Sequence, residues 1–331
     1  MEKVNSRTCA LMIRDLYATD RMPLHVWGPP GTGKSATVAQ VAKEDGLQFI
    51  DLRLVQLDAL DLRGMPKVVE KYDELEMIFV TPGMLPRSGA GILFLDEFCQ
   101  APMIVQNAAS QLVLDRKLGD YRLPDDWHIV AASNSLKDRA GVNPMATHLK
   151  NRFVHAEMGV DHKNWLSFAT KAGYHPLVTS FIKARPEALY KFDPDGFAFP
   201  TLRTWEYVSK IMHKRGDSKG LKALVNGSVG TAVGNEFMQW INSAKSIPTY
   251  DEVVGSPSTV DLPSSGQVGT LQINSIVSSM KGEHIPQILT WLDRLRTKSP
   301  DLGSYAVASL LATPFDANED VVKWISSVLG S

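Results

Sequence analysis

Eight consecutive residues, Gly28-Pro29-Pro30-Gly31-Thr32-Gly33-Lys34-Ser35, have the types and spacing to hold a chain of phosphates. They fit the pattern of glycine, four variable residues, glycine, lysine, then serine or threonine without a mismatch. The glycines let backbone N–H groups approach and point at phosphate oxygens where a side chain would intervene. A helix that starts here presents its positive end to the same anion. Lys34 adds a mobile positive charge for the β- and γ-phosphates, and the Ser35 hydroxyl is a ligand for Mg²⁺. ATP with Mg²⁺ is the ligand this run predicts.

Two further clusters supply the rest of a phosphate-cleaving chemistry. Ile92-Leu93-Phe94-Leu95 runs directly into Asp96-Glu97. At the end of a buried strand, Asp96 orients the metal and Glu97 positions and deprotonates an attacking water. Read alone, the two acids are equally well a solvated pair before Pro102. His128-Ile129-Val130-Ala131-Ala132-Ser133-Asn134 is a second apolar run with a polar end. Asn134 is then a contact for the γ-phosphate or the water, or else a turn residue of a kind common after strands.

These groups meet only if the strands that carry them lie side by side. Leu24–Trp27, Phe49–Leu54, Ile92–Leu95 and Ile129–Ala132 are short, nearly continuous apolar runs, as strands covered on both faces require. Helical patterns separate them. Val38, Val41 and Ala42 precede a stop at Gly46, and Val105, Ala108, Ala109, Leu112 and Val113 follow Pro102, expected as a first helical residue. The alternation predicts an α/β fold with an open parallel sheet. Two stretches break the rhythm. Residues 58–90 read as a helix fragment interrupted by a β-hairpin, and Asp115–Trp127 as a second excursion. After Phe153–Met158 the pattern turns helical, with Asp161 as a cap and Trp205, Val208, Ser209 and Met212 on one face. The expected division is 1–160 for the nucleotide-binding α/β domain and 161–245 for a small all-α lid domain. Residues 246–268, rich in Pro, Ser and Gly, follow as a linker or extended loop, and 269–331 as a helical C-terminal extension.

Composition sets the outer bounds. The chain has 331 residues, an apolar fraction of 44% and a formal charge of −1. That length exceeds one ordinary core, and the near-zero charge provides no field to gather nucleic acid or an anionic membrane. Cys9 and Cys99 have no second Cys or His at metal-ligand spacing, so Mg²⁺ is the one metal expected. So few cysteines, the lack of a signal-like N-terminus and the absence of a membrane-length apolar run predict a soluble, cytoplasmic protein.

In this order, Gly28–Ser35, Leu93–Glu97, Ser133-Asn134, Leu149-Lys150-Asn151-Arg152-Phe153 and Pro200-Thr201-Leu202-Arg203 resemble the AAA+ ATPases, and most closely their MoxR-like group. The resemblance spans about residues 20–215; its first two motifs are the specific ones. Residues 58–90 resemble the helix-2 insert of that clade, and Asp115–Trp127 its hairpin before the sensor strand. The resemblance implies a homo-oligomeric ring, usually a hexamer, with ATP between neighbours. It implies that Arg152 is an arginine finger completing the next subunit's site, and that Arg203 is a sensor on the lid that reads the γ-phosphate. It also implies work on a client protein with a von Willebrand factor A-type partner. The chain departs from the usual pattern where Pro200-Thr201-Leu202-Arg203 lacks an adjacent Pro-Arg pair, and in its tail beyond 246.

From residue type alone, Arg152 and Arg203 are equally surface ion-pair partners, and Lys137 and Arg139 solvated loop charges. The excursion carrying Lys67, Lys71, Tyr72, Asp73, Glu74 and Glu76 is more acidic than basic, which suits a protein contact or a solvated loop. Trp205, Trp240, Trp291 and Trp324 fall at helical core positions. A protein-remodelling ATPase is therefore the leading expectation and a replication or packaging motor on nucleic acid the alternative. A small-molecule kinase would have no use for Glu97 as a water activator. A scaffold that binds ATP without cutting it would not need Asp96 and Glu97 intact.

Overall fold

The computed structural model describes residues 1–71, 74–135, 142–215, 218–245, 248–263 and 266–330. Its centre is a six-stranded parallel sheet. The strands are β1 (Lys3–Val4), β2 (Leu24–Trp27), β3 (Gln48–Arg53), β6 (Gly91–Asp96), β9 (Trp127–Ser133) and β10 (Val154–Met158), in the spatial order β1-β10-β2-β9-β6-β3. The register sets Leu24 beside Val130 and Trp27 beside Ser133, and Gly91 of β6 beside Trp127. Since every strand points the same way, the carboxyl ends of β2, β6 and β9 share one rim, where ligands of open α/β sheets bind.

Alternation along each strand builds two cores. Leu24, Val26, Ile92, Phe94, Val130 and Ala132 face α1 (Ser6–Ala18) and α2 (Lys34–Glu44). Leu93, Leu95, Ile129 and Ala131 face the opposite side, with α3 (Ala59–Arg63) and α4 (Met103–Asp115). This is the α/β fold expected from the apolar runs: β2, β6 and β9 are buried on both faces, whereas β3, at the sheet edge, is exposed or half-buried apart from Leu52. Pro102 stands just outside α4 as its N-cap and is not the first helical residue.

The excursions are hairpins. After α3, β4 (Met65–Lys71) pairs antiparallel with β5 (Glu74–Val80), and β7 (Lys117–Leu118) pairs with β8 (Tyr121–Arg122) before β9. Tyr72 and Asp73 lie outside the described residues, as do Lys137 and Arg139. The short α5 (Thr147–Lys150) leads into β10.

Helices follow. α6 (His162–Lys171), α7 (Pro176–Ala184), α8 (Leu202–Arg215), α9 (Leu221–Val229) and α10 (Thr231–Lys245) enclose a core of Phe181, Trp205, Phe237 and Trp240. Asp161 caps α6 by accepting from the N–H groups of Lys163 and Asn164. The stretch expected as a linker is partly helical. Within it lies α11 (Tyr250–Gly255), opened by a Thr249–Glu252 capping box, and Val253 is fully buried. That apolar anchor ties α11 to a fourth core, shared with α12 (Gly266–Ser278), α13 (Ile285–Lys298), α14 (Pro300–Leu310) and α15 (Glu319–Leu329). Trp291 and Trp324 belong to that core. Among the described residues, no helix is long and apolar enough to cross a membrane.

His128 on β9 is fully buried, and its Nε2 lies 2.8 Å from the Met22 carbonyl, to which it donates. Burial pushes its imidazole down to about 4. The unfolded chain therefore binds a proton that the fold refuses between that value and the ordinary 6.5, so stability falls as pH falls through this window. His128 alone is expected to remove about 2 kcal/mol between about pH 7.5 and pH 5. Denaturant unfolding of the protein and of His128→Phe checks this: the variant should show the shallower acid loss, and equal pH profiles would exclude it.

Candidate functional site

Residues 28–33 bridge β2 to α2, and their backbone is set by glycine. Gly33 has φ 89° and forms the left-handed N-cap of α2. Gly31 has φ 74°, and a Cβ there would fall 2.7 Å from the Cβ of Thr201. The Gly28 N–H donates to the Ser133 carbonyl at 3.2 Å, joining the loop to the next strand. The Thr32 hydroxyl closes the loop on the Pro29 carbonyl at 2.9 Å.

Lys34 opens α2 and turns back under the loop. Its Nζ donates to the carbonyls of Gly28 at 2.7 Å and Pro29 at 3.0 Å, and to Asn134 Oδ1 at 3.0 Å. It is 9% exposed, so three oxygens compensate most of the water its ammonium has lost. The contact brings Asn134, beyond the end of β9, to Lys34 across 100 residues of sequence.

Ser35 Oγ donates to Asp96 Oδ2 at 2.9 Å. Two oxygen ligands on neighbouring corners of an octahedral Mg²⁺ at about 2.1 Å lie about 3 Å apart, so the pair has the donor type and spacing that ion requires. Among the described residues, no three His, Cys, Asp or Glu side chains form a metal cage. Ser35 and Asp96 are thus the pair that could hold a magnesium ion.

Glu97 follows Asp96 in the left-handed region, at φ 56°. A non-glycine residue there costs about 1–2 kcal/mol. The turn is held by its own hydrogen bonds: Glu97 N–H donates to Asp96 Oδ1 at 2.9 Å, and the Glu97 carbonyl accepts from Gln100 and Ala101. Left-handed backbone at a strand end redirects the side chain, and such outliers collect at functional sites. Glu97 stays half-buried at the rim.

Neither arginine side chain hydrogen-bonds to this cluster among the described residues, although Arg203 directly follows Thr201 and Leu202, which lie against the loop. Arg152 follows α5 and Arg203 is the second residue of α8; both are exposed, and neither forms an ion pair among the described residues. Within this chain, the cradle is built without either guanidinium.

Several residues around the site had no role assigned from the sequence. Asp51 on β3 carries a carboxyl raised above the usual range by burial and by the nearby charges of Asp96 and Glu97, against an opposing pull from Arg53. Thr201 is buried against Gly31, and the Tyr190 hydroxyl donates to the Pro30 carbonyl at 2.9 Å. These two contacts dock the helical part of the chain onto the loop. His25, buried on β2, has its Nε2 2.8 Å from Ser133 Oγ, which also accepts from Cys99 N–H. Burial, with His155 and Lys34 nearby, holds its imidazole well below the ordinary range.

Residues 24–138 match the family model described as ATPase family associated with various cellular activities (AAA). A 73-residue stretch is 36% identical to replication factor C subunit 4 of Homo sapiens, covering 22% of this chain. The chain spans only 20% of that relative's length. Among solved structures, NtrX from Brucella abortus in complex with ADP aligns with 98% of this chain and 67% of its own, at 15% identity and a TM-score of 0.42. A RuvB mutant from Thermotoga maritima aligns with 76% of this chain and 74% of its own, at 13% identity and a TM-score of 0.41. Residues 24–138, which hold the phosphate loop, the acidic pair and Asn134, are thus an AAA ATPase-family segment.

Gly31→Ala is expected to cost about 2 kcal/mol of stability, part from left-handed backbone and part from overlap with Thr201. Adding Thr201→Gly should return the overlap part in a thermal or denaturant melt. Double-variant losses equal to the sum of the two singles would show that Thr201 does not rest on the loop.

Proposed function

We propose that the chain is an ATP-hydrolysing motor subunit of the MoxR-like kind, assembled as a ring and acting on a client protein. One observation carries the reading: Lys34, Ser35, Asp96, Glu97 and Asn134 converge on one sheet rim, around a loop whose backbone is shaped for phosphate. In this proposal Gly28 through Gly33 cradle the β- and γ-phosphates. Lys34 exchanges its loop carbonyls for phosphate oxygens, and Asn134 orients the attacking water. Ser35 and Asp96 would hold Mg²⁺, which would supply positive charge against the phosphates. Glu97 accepts the proton of the water. Arg203 reads the γ-phosphate from α8, and Arg152 reaches into the neighbouring subunit, where such a finger is worth about 10³–10⁵ in rate. The exposure of both arginines suits groups whose partner comes with nucleotide or with a second subunit.

The hairpin β4–β5 supports a protein client over nucleic acid. Val68, Leu75 and Met77 are exposed on it at 62%, 79% and 62%, and Glu70, Glu74 and Glu76 are its acids. An apolar and acidic surface suits a polypeptide; a phosphate backbone calls for lysine and arginine. The insertion of this hairpin between α3 and β6, with a second one before β9, supports the MoxR-like assignment, a hexamer and a von Willebrand factor A-type partner. Two unpaired, buried cysteines suit the cytoplasm. The similarity to replication factor C subunit 4 favours a second reading, a motor in DNA replication, over the 22% of the chain it covers.

Glu97→Gln is expected to bind ATP at near-native affinity and lose turnover by at least about 10²-fold, the usual scale for an acid–base residue. Normal turnover would remove Glu97 from this role. Arg152→Ala should keep nucleotide affinity and lose turnover, and mixing it with Glu97→Gln subunits should restore part of it; full activity of Arg152→Ala alone would end the trans assignment. Capture on the ATP-loaded Glu97→Gln protein separates the two readings. Protein retained after nuclease treatment supports the client reading, and nucleic acid as the retained species supports the replication reading.

A further inference from the structure

Beneath the phosphate loop runs a line of polar contacts that phosphate chemistry leaves unused. Trp27 is the last residue of β2, immediately before Gly28. Its Nε1 donates to His155 Nδ1 on β10 at 3.0 Å. His155 Nε2 lies 2.7 Å from the carbonyl of Lys150, the last residue of α5. An indole N–H can only donate and a carbonyl can only accept. The two contacts together therefore fix His155 as the neutral tautomer with its proton on Nε2. On its other side Trp27 stacks on the buried His25 ring, with centroids 4.3 Å apart and planes 7° from parallel. That ring is in turn held by Ser133. The plane of the indole, and so the direction of its N–H, is set from below.

The line ends two residues before Arg152. Arg152 N–H donates to the Leu149 carbonyl, so the turn bearing it is built on α5 itself. Backbone pairing already joins β2 to β10, with His155 opposite His25 and Glu157 opposite Trp27. The Trp27–His155 contact is a diagonal one that the ladder does not need. What it adds is a directional tie from the strand feeding the phosphate loop to a carbonyl outside the sheet.

We propose that Trp27 and His155 are positioning residues that fix the Arg152 turn relative to the same subunit's phosphate loop. Each subunit then presents its guanidinium to its neighbour in a register set by its own nucleotide loop. This rests on the reading of Arg152 as a group that acts in trans. The contacts leave the nucleotide-binding groups of their own subunit untouched, so their loss acts on the neighbour's turnover and spares local affinity.

The experiment compares the full-length protein with Trp27→Phe, His155→Phe and Arg152→Ala, reading ATPase kcat, KM and nucleotide affinity. Trp27→Phe keeps an aromatic ring on His25 and removes the donor together with the second ring of the indole, so it reads the relay even if His155→Phe does not fold. Both relay variants are expected to lose on the order of 10- to 100-fold in kcat with affinity changed by less than about twofold, as misplacement of a reacting group does. Mixing either with Glu97→Gln subunits, which carry an intact Arg152 turn, should restore part of the turnover. Mixing with Arg152→Ala subunits should restore none. Full activity of Arg152→Ala removes the parent reading. Impaired Arg152→Ala beside normal Trp27→Phe, or a Trp27→Phe defect that Glu97→Gln subunits fail to rescue, overturns the relay alone.

Discussion

An ammonium group held almost out of water sets the terms for the rest of this protein. Lys34 is stabilised by two carbonyls of its own loop and by Asn134 from another strand, a triangle of oxygens at 2.7 to 3.0 Å. Removing a charge from water is tolerable only when fixed dipoles replace the lost hydration. Those dipoles must come from backbone that turns tightly, which the glycines permit, and from a neighbouring strand that ends at the same level. The sheet order meets the second demand, since β9 pairs directly with β2. The oxygens that hold the lysine are neutral carbonyl and amide groups, weaker partners for an ammonium than charged oxygens.

The opposite charge is arranged with similar economy. Asp96 is tied to the Ser35 hydroxyl, while Glu97 is turned away from it by a left-handed backbone that is costly for a carboxylate residue. Adjacent acids on a regular strand would point to opposite faces. Here the break after Asp96 keeps both at the rim, in different directions, as two roles would require. On the neighbouring strand, partial desolvation holds the Asp51 carboxyl above the ordinary range, and the charges of Asp96 and Glu97 add to it.

Much of this was legible in the residues because its causes are local. Short apolar runs of Ile, Leu, Val and Phe have one stable use in a chain this long, as strands covered on both faces, and β2, β6 and β9 formed where such runs lie. The phosphate loop is legible for the same reason, since its geometry is carried by Gly28, Gly31 and Gly33 within six residues. The parts that stayed hidden depend on partners far apart in sequence. Lys3–Val4 is a strand only because β10 offers it an edge. His25 and Trp27 read as members of an apolar strand, yet their side chains meet residues 108 and 128 positions away. Tyr190 carries no motif, and Thr201 lies in one that says nothing of a contact with the loop; both contacts follow from how the helical part docks. The Pro, Ser and Gly content of 246–268 pointed to open chain, whereas Val253 pins part of the stretch into the last core, with Tyr250, Val260 and Leu262 packed against it.

The measurement that bears most directly on this account is the affinity of Mg·ATP for the native protein and for Lys34→Ala, by calorimetry at fixed salt. The account predicts saturable binding that the substitution abolishes, while Lys34→Ala still unfolds cooperatively and Asn134 simply loses its partner. Retention of native affinity without the ammonium would contradict it. The glycine loop would then not be a phosphate cradle, and the convergence of Ser35, Asp96, Glu97 and Asn134 would need another explanation.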